Sequence, residues 1–272
     1  MPVQEAHGII NRMSEDIDIK VMMSPTKNPL KKGRGDRVRL KALHELIPEL
    51  LDALDFPLLK YPDGGLNPRT RDAHRYYVIG AGYKTAYSEF PSLRPELKLE
   101  LIQRQPLLPL EQREFGYLYE TLAGLPATST VSIDCISVAE TAAEKVLSLL
   151  RRCAYKWDGH QTKGDIDPAL VRHVYDVARI VELSGDSLAT ARSIFPKLVQ
   201  SDRDEFKGQN PEFDADPVSA LKRTLKVAKS NGELPKQYSK HLMPLVYDID
   251  PPTFETSFAS FEAVAMDFLA AC

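Results

Sequence analysis

The chain has 272 residues, 43% of them apolar and 27% charged, with 35 basic and 38 acidic side chains giving a formal net charge of −3. That apolar share supports a packed core and excludes wholesale disorder, and the charge balance excludes a uniformly basic nucleic-acid coat. Three cysteines, Cys135, Cys153 and Cys272, are odd in number and lack a CxxC pair, so they suit a reducing compartment and carry neither a disulfide framework nor a zinc site. No apolar run reaches the ~20 residues of a spanning helix. The opening MPVQEAHGIINR has no basic segment followed by an apolar one, so the expectation is a cytoplasmic protein without membrane contact.

In chain order, residues 16–23 (DIDIKVMM) alternate with Ile17, Ile19 and Val21 on one face, the period of a half-buried strand. A loop rich in proline, glycine and lysine follows over 24–35, then a helix over 36–54, where Leu40, Leu43, Leu46, Ile47, Leu50, Leu51 and Leu54 recur at helical spacing. Residues 75–83 read as a second strand. Residues 96–102 (ELKLELI) read as a third, with Leu97, Leu99 and Leu101 on one face and Glu96, Lys98 and Glu100 on the other. From about residue 137 the period is helical, with helices expected near 138–153, 168–183, 187–206, 217–230, 235–246 and 254–270. The chain therefore divides near residue 130 into an α/β half (1–130) and an all-helical half (131–272).

Aspartates two apart occur five times: Asp16/Asp18, Asp165/Asp167, Asp202/Asp204, Asp214/Asp216 and Asp248/Asp250. Three pairs run into proline, where the second aspartate suits a helix cap or turn, and Asp202/Asp204 is expected at an exposed helix end. Only Asp16/Asp18 lies inside an apolar alternation. Residues i and i+2 of a strand project from one face, and two unit charges ~4 Å apart repel by about 4 kcal/mol at an effective dielectric near 20. A cation between them removes that cost, and hard oxygen ligands suit Mg²⁺. Glu100 would add a third acid if its strand pairs beside DIDIKV, giving a cluster suited to phosphoryl or nucleotidyl transfer. An exposed strand with a polar face accounts for the same spacing, and Lys98 between Glu96 and Glu100 favours that alternative.

RMSEDIDIKV, KLEL, AETAAEKVLSLLRR and RHVYDVARI, in that order, resemble the AbiEii/AbiGii-type nucleotidyltransferase toxins over about residues 7–183. The resemblance implies an α+β fold: a polymerase-β-like nucleotidyltransferase mixed sheet with helices, followed by an all-helical C-terminal domain. It implies Asp16 and Asp18 as metal ligands and Glu100 as a third acid, all three catalytic. It implies Lys145, Arg152 and Ser14 as nucleotide-binding residues and Asp176 as a further catalytic residue. The cofactors would be Mg²⁺ and an NTP substrate, with tRNA as acceptor and an antitoxin protein as partner. In the family a Gly-Gly-Thr/Ser turn precedes the paired aspartates. Here its position would fall at or before Met1, so the expectation is a chain lacking that turn.

Lys145 and Arg152 are seven apart on an expected helix, hence on one face roughly 10 Å apart, a spacing fit for two phosphates. On the residues alone a solvated basic helix end is the better explanation, and the resemblance favours the phosphate-binding one. Asp176 points off the apolar stripe of its helix, and Arg172 and Arg179, four before and three after it, offer ordinary surface ion pairs. Between Lys27 and Lys41 lie Lys31, Lys32, Arg34, Arg37 and Arg39, a patch fit for RNA phosphates or a solvated loop; Tyr76, Tyr77, Tyr83 and Tyr87 are scattered stacking partners. Two functions follow: a Mg²⁺-dependent nucleotidyltransferase, or a catalytically degenerate relative that binds protein.

Overall fold

A computed structural model describes residues 8–14, 16–24, 34–61, 65–84, 96–160 and 167–272. They group into two compact units: one from Ser14 to Pro106, the other from Leu107 to Cys272 joined by the segment ending at Met13.

The first unit contains β1 (Asp16–Val21), α1 (Arg34–Ala53), β2 (Arg69–Arg71), β3 (Tyr76–Gly82) and β4 (Glu96–Gln103). The strand order is β1-β4-β3-β2, with β1 parallel to β4 and the other pairs antiparallel. Alternation sorts the sheet into two faces. Tyr77, Ile79, Ala81 and Leu101, with Leu97, Leu99 and Val21, form the apolar face, which packs on Ile47 and Leu51 of α1. Ile19 is 40% exposed, because β1 lies at the edge of the described sheet. The long leucine pattern of α1 splits in two. Leu40, Ile47 and Leu51 are buried, whereas Leu43, Leu46, Leu50 and Leu54 are exposed, because a stripe much wider than 100° exceeds what one sheet face covers.

The second unit contains an antiparallel ribbon of β5 (Glu111–Phe115) and β6 (Val131–Cys135) with the short α2 (Leu118–Leu122) between its strands. The helices that follow are α3 (Val138–Trp157), α4 (Arg172–Ser184), α5 (Ser187–Glu205), α6 (Pro211–Ala215), α7 (Pro217–Ser230), α8 (Glu233–Gln237) and α9 (Phe254–Ala270). α3 is almost wholly buried and packs on α4, α5 and α7, while α9 closes over α4, α5 and α7. Ile9 and Ile10 belong to the same core.

The boundary lies at Pro106/Leu107 rather than near 130. Periodicity marks where helix replaces strand, but buried Glu140 of α3 accepts hydrogen bonds from the backbone N–H groups of Leu107 and Leu108, both at 2.9 Å, and so ties the chain after 106 to the helices. The single helix expected over 235–246 is instead α8, a π turn over Tyr238–Leu242 and a 3₁₀ turn over Met243–Leu245, where Pro244 has no N–H to give a helical ladder. Asp167 and Asp216 are the caps their prolines announce, accepting from Ala169 N at 2.9 Å and Ser219 N at 3.0 Å. Asp202 is not at an exposed end. It is 5% exposed and accepts from Arg151 Nε at 2.9 Å, with that guanidinium 3.8 Å from the ring centre of Phe206, so Arg151 is a core residue. No helix of the described residues is long and apolar enough to cross a membrane.

Candidate functional site

The polar face of the sheet is set by register. Asp16 lies beside Lys98 and Asp18 beside Glu100, and paired residues of parallel strands share a face. Asp16, Asp18, Glu96, Lys98 and Glu100 therefore project to one side. The Lys98 ammonium is 3.7 Å from Asp16 Oδ1 and donates to Glu100 Oε1, while Tyr76 Oη donates to Glu100 Oε2 at 3.2 Å. Burial opposes the charge on Lys98, but the hydrogen bond and charge of Glu100, with Asp16, outweigh it and hold its pKa above the ordinary lysine value. Burial and the neighbouring Glu100 carboxylate push the Tyr76 phenol up. A lysine thus supplies the cation that packed carboxylates require.

Four acids share this face without gathering into a metal-sized group: among the described residues no three His, Cys, Asp or Glu side chains do so. The donor set at Asp16 and Asp18 still fits Mg²⁺, which commonly takes one or two carboxylates and completes its shell with water and phosphate oxygens. Glu100 is held by Lys98 and Tyr76. On the same side Tyr61, Asn67, Arg69, Val78, Glu96 and Lys98 line a cavity of about 180 Å³. Gly80 makes room for it, since a Cβ there would meet Tyr61 Oη at 2.6 Å and Glu96 Oε1 at 2.7 Å.

The second unit holds a different arrangement of charge. Asp176 on α4 is fully buried. Its Oδ1 accepts from Arg12 Nε at 2.8 Å, and its Oδ2 accepts from Arg12 Nη2 at 2.8 Å and from Lys145 Nζ of α3 at 2.7 Å. Asp176 faces inward rather than toward the surface, while Arg172 pairs with Asp167 at 3.5 Å and Arg179 with Glu182 at 2.6 Å. Burial would push the Asp176 carboxyl up, yet Arg12 and Lys145 together hold it well below the usual carboxylate range. Lys145 is driven down by burial, with Asp176 opposing and Arg12 adding to the effect. Burial, then Lys145, likewise pushes His173 well down, leaving it neutral at pH 7.

Asp16, Asp18 and Glu100 belong to the sheet unit, with Ser14 partly buried just ahead of β1. Lys145 and Asp176 belong to the helical unit and are brought together there, while Arg152, two turns along α3 from Lys145, is exposed. Lys27, Lys31, Lys32 and Tyr87 lie outside the described residues, as does the side chain of Arg34. Arg12 escaped the sequence reading. It lies 164 residues from its partner, and no spacing rule links the two. The only signal was a basic residue inside RMSEDID.

No curated protein and no solved structure matches the chain. A family model described as nucleotidyl transferase AbiEii toxin, type IV toxin–antitoxin system, matches residues 6–260. Its reach takes in the paired aspartates, the strand carrying Glu100 and the helices carrying Lys145 and Asp176. The family is that of a transferase, and toxin–antitoxin membership implies an antitoxin partner. The chain belongs to the AbiEii nucleotidyltransferase toxin family.

Proposed function

We propose that the protein is a Mg²⁺-dependent nucleotidyltransferase that moves a nucleoside monophosphate from an NTP to a hydroxyl of an acceptor such as tRNA and releases pyrophosphate. The observation that carries this reading is the register of β1 on β4, which sets Asp18 beside Glu100 with Asp16 on the same face. In the reaction an acceptor hydroxyl oxygen forms a bond to the α-phosphorus. The bond from that phosphorus to the oxygen bridging to the β-phosphate breaks, and pyrophosphate departs with the electron pair. Asp16 and Asp18 would hold the metal, which when bound draws charge from the triphosphate oxygens. Glu100 supports them, as a further ligand or by taking the hydroxyl proton. Lys145 and Arg152 bind phosphate oxygens, and Ser14 lies among the nucleotide-binding residues. Asp176, enclosed by Arg12 and Lys145, acts through Lys145 rather than on the nucleotide itself.

One observation favours a second reading, that of a degenerate relative binding protein: Lys98 already bridges Asp16 and Glu100. Incubation with each labelled NTP, Mg²⁺ and total tRNA separates the two. Transfer by the protein that is lost in Asp16→Ala/Asp18→Ala supports the enzyme. No transfer with any NTP, or equal transfer by the variant, overturns it.

A further inference from the structure

Among the described residues, the hydrogen-bonded groups at Asp176 have an uneven charge count. One carboxylate faces two cations, and all three groups are withdrawn from water: Arg12 is 2% exposed, Asp176 0% and the Lys145 side chain 11%. The two cations are held differently. Arg12 grips both carboxylate oxygens through a planar two-point fork, whereas Lys145 makes a single contact to Oδ2. Arg12 is also fixed by its backbone. It bridges to Val246, and the neighbouring Met13 N donates to Leu245 O at 2.8 Å.

A carboxylate cancels one unit charge, so one remains. We infer that Arg12 is a positioning residue for phosphate binding: by satisfying Asp176 it keeps the Lys145 ammonium oriented but not cancelled, ready for a polyphosphate anion. Without Arg12, Asp176 and Lys145 close into a neutral pair, and Lys145 has little charge left to offer. The downward push of burial on Lys145, to which Arg12 and Arg172 add, agrees with an ammonium short of negative charge. His173, whose charged form burial disfavours, adds no further cation. The inference rests on the proposed role of Lys145 in holding the triphosphate.

The test is calorimetric titration of the full chain with inorganic tripolyphosphate at pH 7 without metal, for wild type, Arg12→Gln, Arg12→Lys and Arg12→Gln/Asp176→Asn. Arg12→Gln removes the surplus charge and is expected to bind about tenfold more weakly, the scale of one unit charge several ångströms away at a dielectric between protein and water. Arg12→Lys keeps the charge and stays within about threefold of wild type on the same scale. The double variant removes one charge of each sign and so restores the surplus. It returns to within about threefold of wild type, a recovery that a purely structural arginine would not give. Should Arg12→Gln fail to fold, the double variant, with a neutral pair of similar shape, still carries the comparison. Equal binding by a folded Arg12→Gln, or binding by the double variant at least tenfold weaker than wild type, overturns the inference. Failure of wild type to bind tripolyphosphate overturns the proposed role of Lys145 and the inference with it.

Discussion

The two units solve the same electrostatic problem in opposite ways. On the sheet face, Asp16, Asp18, Glu96 and Glu100 stand near water, and one lysine on a flexible stem, Lys98, serves two of them. In the helical unit, one buried carboxylate serves two cations, and an arginine fork fixes the geometry. A lysine on a partly wet strand can be displaced by an arriving cation, because water takes up its charge at small cost. A buried ion triad cannot lose a member cheaply, because the remaining charge has no water to turn to. The sheet face thus suits exchange of ions, and the helical cluster suits holding one ammonium in place.

The largest expected effect breaks the sheet side of this contrast. Asp16→Ala/Asp18→Ala removes the paired carboxylates and is expected to lower transfer by on the order of 10³-fold, the several kcal/mol a metal contributes to charge stabilisation. The fold, measured by urea unfolding, should change by no more than about 0.5 kcal/mol per surface position. Asp176→Asn breaks the other side. It strands Arg12 and Lys145 in the core and is expected to cost about 3–5 kcal/mol, read as a shift in the urea midpoint.

Acid titration sharpens the same point. The folded protein holds Asp176 below its unfolded pKa, so as pH falls the unfolded chain takes up the proton first. The contribution is complete at neutral pH and is lost progressively as pH falls below the ordinary carboxylate pKa and on through the lower folded one. Stability measured down the acid limb should therefore fall less steeply in Asp176→Asn than in wild type; equal slopes would contradict the ion-triad account.

Smaller effects test the lysine. Lys98→Met removes the cation between Asp16 and Glu100 and should enlarge the rise in melting temperature produced by millimolar Mg²⁺. An unchanged response would mean that Lys98 does not compete with a divalent ion. Smallest is Ser137→Ala, which removes the hydroxyl accepting from Glu140 N at 3.2 Å at the start of α3. A loss of about 1 kcal/mol is expected, with metal response unaltered.

What could be read from the residues depended on how local the cause was. Alternation gave the strands at 16–21, 76–82 and 96–103 within a residue or two, since a face buried on one helix imposes period two. Aspartate before proline located the caps at Asp167 and Asp216 because that interaction spans three residues. The neighbourhood of Asp18 and Glu100 was conditional on strand pairing, which periodicity does not specify. The inward turn of Asp176 was hidden, because Arg172 and Arg179 offered nearby partners while Arg12 and Lys145, which bind it, lay far off in sequence. The β5–β6 ribbon was missed for a similar reason. Its strands are short and mostly exposed, with Val131 and Ile133 facing solvent, so they lack the buried alternation that marks a strand.

The most direct test of the account follows α-³²P from each NTP into total tRNA with Mg²⁺ present, comparing wild type with Asp16→Ala/Asp18→Ala at equal folded concentration. The account predicts labelled RNA and released pyrophosphate for wild type with at least one NTP, and neither product for the variant. Label that appears equally with both proteins, or with neither, would contradict the claim that these two strand carboxylates serve nucleotidyl transfer.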